Sequence, residues 1–246
     1  MSKKYKPENR PDTSPKVQQR DKIKEEFEIR EFNWTEKQKN FINIALDKNT
    51  KIVICQSCPG TGKTLLSLFC SLVKLKNKLS SHIIYIRNPI ESASKGIGYI
   101  PGDQKIKMEW VCEPLNDHLY ELLSKDVTSK LINENRIQGL PLGYIKGRTW
   151  HVSSLILDEA EDLTLQELQL VMGRVGQKSL LFCIGDLAQA NIKNSGFKKV
   201  FDLFNNQESK DRGIYCLTFE KSDIKRNEFL SFVIDKFESL NTKLAT

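Results

Sequence analysis

The chain has 246 residues, of which 39% are hydrophobic and 28% are charged, as in an ordinary soluble globular protein with one large or two small domains. Its longest apolar run, residues 65–73, is far too short for a membrane span, which excludes a transmembrane protein. The net charge of +7 and the pI near 9.0 favour an anionic partner, with nucleic acid first, or else a solvated lysine-rich surface.

The first 30 residues are polar, carry mixed charge and contain Pro7, Pro11 and Pro15. This composition predicts a flexible or peripheral arm at residues 1–30 and a single folded domain at residues 31–246. The arm has lysines but no apolar segment behind them, unlike a secretory signal. The 6 cysteines lie mostly within apolar runs, which is typical of buried thiols in a reducing compartment, so we predict a cytoplasmic protein.

The folded part opens with a predicted helix that Thr35 is suited to cap, with apolar residues at positions 41, 42, 45 and 46 on one side. Gln38 lies one turn inside this helix, ahead of the first strand. Its amide has both a donor and an acceptor, which suits it to read an adenine edge. The alternative is an ordinary exposed glutamine.

The chain is organised around residues 57–64. An apolar run at residues 52–55 predicts a buried strand before them, and residues 65–70 predict a buried helix after them. Strand, glycine loop and helix in this order form a phosphate-binding loop, because backbone N–H groups of the loop and of the helix start cradle phosphate oxygens. The usual pattern begins with glycine, where this chain has Ser57.

Residue types within the loop suit a nucleoside triphosphate with Mg²⁺. Gly60 and Gly62 let the backbone approach the ligand, Lys63 neutralises the β- and γ-phosphates, and the Thr64 hydroxyl is placed to ligate Mg²⁺. The predicted nucleotide-binding residues are Gln38, Ser57, Pro59, Gly60, Thr61, Gly62, Lys63 and Thr64.

Residues 83–86 predict a second buried strand that ends at Arg87 and Asn88, at the edge where open α/β sheets bind ligands. Arg87 and Asn88 suit contact with a nucleic-acid backbone, and a surface ion pair is the alternative for Arg87. A long helix is predicted from about residue 103. Residues 141–149 predict a small inserted element or hairpin, in which Arg148 suits a nucleic-acid strand or a neighbouring subunit.

Residues 154–157 predict a buried strand that delivers Asp158 and Glu159 to its carboxyl end. Asp158 is suited to hold Mg²⁺ opposite Thr64, and Glu159 to polarise the attacking water as general base. Alone, such an acid pair is common, and the alternative is a pair that caps a helix. Together with the phosphate loop, the pair indicates phosphoryl chemistry.

A third strand is predicted at residues 180–184, and Gln189 just beyond its tip is placed to sense the γ-phosphate and orient water. The helix predicted at residues 163–175 points Leu165, Leu168 and Met172 inward.

Strands that alternate with helices predict an α/β fold with a parallel, doubly wound sheet. A further helix at residues 195–204 and a strand at residues 214–219 continue the alternation. The strand tips should therefore converge on one edge of the sheet. The tips in question carry residues 57–64, 87–89, 158–159 and 185–189.

Several stretches together resemble the PhoH-like ATPases, which are phosphate-starvation-associated proteins of bacteria and phages that look like the first motor domain of superfamily-one helicases. The resemblance covers about residues 34–240 and lies in residues 57–64, 86–89, 98–103, 141–149, 157–161, 185–189 and 222–226. It implies a three-layer RecA-like P-loop NTPase with a mostly parallel central sheet. It also implies ATP hydrolysis with Mg²⁺, RNA or single-stranded DNA as partner, and homo-oligomeric rings such as hexamers.

The resemblance implies roles for single residues as well. Gln38 matches the adenine-reading glutamine of helicase-like motors, and Gln189 matches the phosphate-sensing glutamine. Arg226 matches an arginine near the chain end that acts as a finger, in the same or a neighbouring subunit, and Arg174 is a second finger candidate. The chain departs from the family pattern at Ser57, Asn88 and Asn227, and it has no separate nuclease domain.

The leading hypothesis from the sequence is therefore a Mg²⁺-dependent ATPase coupled to RNA or single-stranded nucleic acid. The alternative is a nucleotide-gated adaptor that works through a protein partner, although the intact Glu159 argues against a dead ATPase. A small-molecule kinase shares the phosphate loop but does not need the acid pair with a distal glutamine.

Overall fold

The computed structural model describes residues 26–88, 104–192 and 194–224, together with positions 232 and 236. Helices and strands alternate through these ranges. The helices are α1 (Glu36–Leu46), α2 (Lys63–Lys76), α3 (Gln104–Leu122), α4 (Lys125–Asn133), α5 (Leu165–Met172), α6 (Phe197–Phe204) and α7 (Gln207–Asp211). The strands are β1 (Ile52–Ser57), β2 (His82–Arg87), β3 (Ile137–Pro141), β4 (Ser153–Asp158), β5 (Leu180–Gly185) and β6 (Ile214–Phe219). Nowhere in the described ranges is a helix both long and apolar enough to cross a membrane.

The strands form one 6-stranded sheet in the order β3-β2-β4-β5-β1-β6, and every pairing in it is parallel. All carboxyl ends therefore lie at the same edge. The phosphate-loop strand β1 and the acid-bearing strand β4 lie on either side of β5. This arrangement confirms that the four predicted tips share one edge of the sheet, except for Pro89, which lies outside the described residues.

Alternating side chains of the buried strands build two separate cores. On β1, Val53 and Cys55 belong to the core that α1, α2, α3 and α4 cover. Ile52 and Ile54 face the opposite core, which α5 and α6 cover. Because successive residues of a strand point to opposite faces, a sheet between two helical layers needs apolar residues throughout. The predicted three-layer α/β architecture is thus confirmed.

The start of α1 is fixed by a capping box. The Gln38 backbone N–H donates to the Thr35 hydroxyl at 3.2 Å, and the Thr35 backbone N–H donates to the Gln38 side-chain oxygen at 2.9 Å. Two N–H groups that a helix start leaves without partners are satisfied in this way. The predicted cap at Thr35 is confirmed.

Of the two alternatives predicted for residues 141–149, the hairpin was wrong. Residue 141 ends β3, an edge strand parallel to β2, and the chain continues into a short 3₁₀ turn at Leu142–Ile145. The sequence signal was weak because β3 is short and carries Gly139 inside and Pro141 at its end, residues that are tolerated mainly at sheet edges.

Two smaller differences concern helix orientation and the arm. Leu165, predicted to point inward, is the first residue of α5 and is 44% exposed, while Leu168 and Val171 are the buried positions.

Phe27, which the composition assigns to the arm, packs into the core under α1–α4. The Arg30 backbone N–H donates to the Leu122 carbonyl at 2.9 Å, so residues 26–30 pack on α3.

Candidate nucleotide site

The phosphate loop has the backbone that its glycines predict. Gly60 and Gly62 adopt left-handed φ angles of 79° and 78°, and Gly62 is the N-cap of α2. A β-carbon at either position would strain this backbone. The loop therefore presents the N-terminus of α2, with its unpaired N–H groups, to the cleft at the sheet edge.

Ser57, the departure from the usual glycine, braces the loop from inside. The Thr61 hydroxyl lies 2.8 Å from the Ser57 hydroxyl and 3.0 Å from the Cys58 carbonyl oxygen. Both Ser57 and Thr61 are buried. A serine at this position thus closes the loop through a side-chain contact that glycine cannot make.

Gln38 is held at both ends of its amide. Its oxygen accepts from the Thr35 backbone N–H, and its Nε2 donates to the Thr61 carbonyl at 3.0 Å. The side chain is buried and lies against Gly62. Gln38 therefore ties α1 to the phosphate loop in this structure, and reading an adenine edge would have to use the second hydrogen of Nε2 and the second lone pair of the oxygen. That role stays a prediction.

Lys63 is half-buried at the start of α2 and has no ion pair among the residues that the structure describes. An ammonium group at the mouth of a helix N-terminus adds to the positive potential there. It is thus available for an anionic ligand.

Thr64 and Asp158 meet at the centre of the site. The Thr64 hydroxyl donates to Asp158 Oδ2 at 3.1 Å, although Thr64 follows β1 and Asp158 ends β4, two strands that β5 separates. Tyr85, from β2, donates to the same oxygen at 2.8 Å, and the Glu159 backbone N–H donates to Oδ1 at 3.0 Å. Burial first, and Asp158 second, raise the pKa of the Tyr85 hydroxyl well above its ordinary range, so it stays a donor.

The oxygen ligands at this point suit Mg²⁺, which takes one or two protein oxygens and completes its shell with phosphates and water. Within the described residues there is no cluster of three or more His, Cys, Asp or Glu side chains that would form a cage for a metal by itself. The hydroxyl of Thr64 beside the carboxylate of Asp158 fits a magnesium ion that is shared with a nucleotide.

Tyr85 is a functional candidate that the sequence analysis missed. The signal was a single tyrosine within an otherwise aliphatic buried strand, because a buried tyrosine hydroxyl needs a partner. We expect Tyr85→Phe to lower Mg²⁺ affinity or turnover about tenfold, as loss of a bond that orients a metal ligand does. A Mg²⁺ titration of turnover measures this. Tyr144→Phe, at an exposed tyrosine, is the matched control, and equal behaviour of the two variants would contradict the role.

Glu159 forms a bidentate ion pair with Arg87 across the tips of β2 and β4. Arg87 Nε donates to Glu159 Oε2 at 2.8 Å, and the Arg87 NH2 group donates to Oε1. Glu159 has a left-handed backbone with φ 54° and ψ 45°, which is strained for a residue with a side chain. Of the two interpretations of Arg87, the ion pair is the one present here.

The other predicted site residues lie further apart. Gln189 is exposed in a short 3₁₀ turn just past β5, at the carboxyl edge, and Asn88 follows β2 at the same edge. Arg148 is exposed on the connection between β3 and β4. Arg226 lies outside the described residues. None of the contacts described above involves Gln189, Asn88 or Arg148 side chains.

Arg174 lies at the opposite edge of the sheet. Its carbonyl accepts from the Trp150 backbone N–H at 3.1 Å, and both residues precede the strands β4 and β5. Strands of this length separate the two edges by about 20 Å. Arg174 therefore cannot reach the phosphate loop of its own chain, and a finger role would require a second copy.

Glu161, like Tyr85, is a residue near the site that the sequence analysis did not single out. It is 3% exposed, and its Oε2 has no hydrogen-bond partner in the described part of the chain. A β-carbon on Gly185 would lie only 2.6 Å from that oxygen, so the glycine makes room for the carboxyl group. Burial raises the pKa of Glu161 to about 7, and the nearby charge of Lys63 acts in the opposite direction.

This shift predicts a pH-dependent stability. Because the folded pKa is above the ordinary value of 4.5, the stability that Glu161 contributes is fully present below about pH 4.5 and is lost as pH rises through about 7. We expect the melting temperature of Glu161→Gln, relative to that of wild type, to be higher at pH 8 than at pH 5. Thermal melts at both pH values measure this, with the exposed Glu113→Gln as control. A constant difference across that range would contradict the assignment.

A cavity of about 380 Å³ opens beside the phosphate loop. Its lining comes from the loop and the start of α2, from residues before and within α1, and from residues late in α3. Its lining consists of Phe32, Asn33, Trp34, Gln38, Gly60, Thr61, Gly62, Lys63, Thr64, Leu65, His118 and Glu121. The volume lies within the usual range for small-molecule sites.

Comparison with known proteins shows which family the chain matches. The family model described as PhoH-like protein matches residues 32–238. Over 198 residues the chain is 29% identical to the PhoH-like protein of Bacillus subtilis (strain 168), covering 80% of this chain and 61% of that protein. Over 203 residues it is 28% identical to the PhoH-like protein of Mycobacterium tuberculosis (strain ATCC 25618 / H37Rv), covering 81% and 56%.

A third relative is Protein PhoH2 of Bacillus subtilis (strain 168), to which the chain is 29% identical over 175 residues, covering 68% of this chain and 40% of that protein. The chain thus spans about 60% of the length of the first two relatives. The six-stranded parallel sheet is consistent with the RecA-like P-loop NTPase fold that the sequence predicts.

Proposed function

Since the chain belongs to the PhoH-like family of P-loop proteins of ATPase type, we propose that it hydrolyses ATP with Mg²⁺ and couples hydrolysis to RNA or single-stranded DNA. The observation that carries this proposal is the 3.1 Å contact between the Thr64 hydroxyl and Asp158. Two residues 94 positions apart in sequence, one in the first turn of α2 and one at the end of β4, meet there with the oxygen ligands that a metal–triphosphate site needs.

In this proposal, each residue at the cleft has a role in ATP hydrolysis. The N–H groups of the loop and the ammonium of Lys63 bind and orient the phosphates, and Gln189 is suited to sense the γ-phosphate. Thr64 and Asp158 would hold Mg²⁺, whose charge offsets that of the phosphates. Glu159 takes the proton from the attacking water as general base, which is worth typically 10²–10⁴-fold in rate.

The Arg87–Glu159 pair supports coupling to a nucleic acid. While Arg87 holds both carboxylate oxygens, Glu159 is poorly placed to accept a proton from water. A phosphate from a nucleic-acid backbone competes for the same guanidinium, because arginine binds phosphate and carboxylate with the same fork of donors. The net charge of +7 favours such a partner.

A ring of several copies and a cytoplasmic location complete the proposal. Arg174 lies at the edge opposite its own phosphate loop, and its Nε is buried without a hydrogen-bond partner among the described residues. Arg174 could act as an arginine finger only on a neighbouring copy, and Arg226 is the other candidate, in the same or a neighbouring copy. Autonomous strand separation would need such a ring, because the six-stranded sheet described here forms one motor lobe.

The test is ATP turnover by pure protein with and without single-stranded RNA or DNA, together with the mass in solution. We expect Mg²⁺-dependent turnover that a single strand stimulates. Turnover that is indifferent to every nucleic acid would favour the nucleotide-gated adaptor instead. Absence of turnover under all conditions would contradict the ATPase itself.

Removing the arginine from the ion pair tests the coupling. We expect Arg87→Gln to raise basal turnover severalfold, because the Glu159 carboxylate is no longer held by the guanidinium. We also expect this variant to lose stimulation by single-stranded RNA. Turnover at a range of RNA concentrations measures both effects. Lys39→Gln, which breaks an exposed ion pair with Glu36, is the control. Full stimulation in the Arg87 variant would contradict the coupling.

A further inference from the structure

Part of the cavity lining lies outside the phosphate loop and α2, and we call this part the distal end of the cavity. It includes Phe32, Trp34, His118 and Glu121. A nucleotide whose phosphates lie on the loop therefore directs the rest of the molecule toward these four residues. They have no role in the chemistry described above.

The aromatic part of this end suits stacking. Phe32 is 37% exposed although it is a large apolar side chain, and its ring centroid lies 5.2 Å from that of Trp34. Trp34 in turn packs against Phe69 of α2 at 5.3 Å, which fixes its position. A flat ring that stacks on Phe32 would gain burial, and stacking accepts any base because every base has a π-face.

The polar part of this end includes a carboxylate that is paired with an imidazole. His118 Nδ1 lies 3.3 Å from Glu121 Oε1. Because a carboxylate only accepts, Nδ1 is the donor in this contact, and Glu121 Oε2 is left to accept from a ligand. Gln38, the glutamine that the sequence suggested as base reader, has both ends of its amide bound to backbone groups.

We propose that Glu121, positioned by His118, reads the base of the bound nucleotide by accepting a hydrogen bond from the exocyclic amino group of adenine. This inference rests on the proposed ATP site and names what selects its base. A carboxylate favours the amino group of adenine and disfavours the keto oxygen that hypoxanthine has at the same ring position, because two acceptors repel. Phe32 supplies affinity without selectivity, and Gln38 braces the loop.

The test is calorimetric titration of the whole chain with ADP and with IDP, which differ at that ring position. We expect wild type to bind ADP about tenfold more tightly than IDP, as one charge-assisted hydrogen bond provides. Glu121→Gln should bring the two affinities within about twofold, because an amide can present either a donor or an acceptor. Asp117→Asn removes the same charge from an exposed position of α3 outside the cavity and should keep the tenfold preference.

Variants of His118 and Phe32 separate the positioning of Glu121 and the stacking on the base from the hydrogen bond that selects adenine. His118→Ala should lose part of the ADP preference and His118→Asn should restore it, because the asparagine amide places a donor near Nδ1. Phe32→Ala should weaken ADP and IDP equally. An ADP preference that is absent in wild type, or unchanged in Glu121→Gln, would overturn the inference while leaving the ATPase proposal intact. Binding of neither nucleotide would overturn both.

Discussion

Replacing Glu159 with glutamine should lower ATP turnover about 10²–10⁴-fold while leaving the affinity for ATP within about threefold of wild type. Glutamine fills the same space at the tip of β4 but cannot accept a proton from water, so the loss falls on the chemical step. The phosphate loop does not touch this side chain in any contact described above, and binding should therefore persist. Steady-state turnover and calorimetric ATP binding measure the two quantities.

The control for this variant is Arg87→Gln, which breaks the same ion pair and keeps the carboxylate. If Glu159 acted only by holding the tips of β2 and β4 together, both variants would lose turnover alike. A general base predicts opposite results, with turnover lost in one variant and raised in the other. Unchanged hydrolysis in Glu159→Gln would remove Glu159 as the base.

Replacing Asp158 with asparagine should lower turnover at least about a hundredfold at a Mg²⁺ concentration that saturates wild type. Metal-assisted stabilisation of a phosphoryl transition state is worth several kcal/mol, and an amide is a weaker ligand for Mg²⁺ than a carboxylate. Both oxygens of Asp158 accept hydrogen bonds in the structure, from Thr64 and Tyr85 on one side and from the Glu159 backbone on the other. Asparagine satisfies only one side, so thermal melts must accompany the assay.

Nucleotide binding without metal provides the internal control for Asp158→Asn. The affinity for ADP in the presence of a chelator reports on the phosphate loop alone and should match wild type. The enhancement of binding that Mg²⁺ gives wild type should disappear. A normal Mg²⁺ requirement in this variant would mean that the metal is bound elsewhere.

Much of the architecture could be predicted because it depends on local patterns. Short continuous apolar runs at β1, β2, β4 and β5 are typical of buried strands between two helical layers, and glycines fix the phosphate loop. Parallel pairing then brings the strand ends together, which is why the sequence predicted that Thr64 and Asp158 would be close. All of these stretches lie within residues 32–238, which match the PhoH-like family.

The remainder depends on tertiary contacts that no local pattern encodes. Tyr85 reads as one more apolar strand residue until its hydroxyl meets Asp158. Gln38 reads as a free amide until both of its ends meet backbone groups. The edge strand β3 escaped notice because five residues with an internal glycine carry little periodic signal.

The central claim is that the loop after β1 and the acids after β4 form one pocket for a nucleoside triphosphate. A crystal structure with a non-hydrolysable ATP analogue and Mg²⁺ tests it most directly. The account predicts phosphate oxygens within hydrogen-bond distance of the backbone N–H groups of residues 60–64, with a metal ion between the Thr64 hydroxyl and the Asp158 carboxylate. An analogue bound away from that loop, or a metal ion that neither Thr64 nor Asp158 approaches, would contradict it.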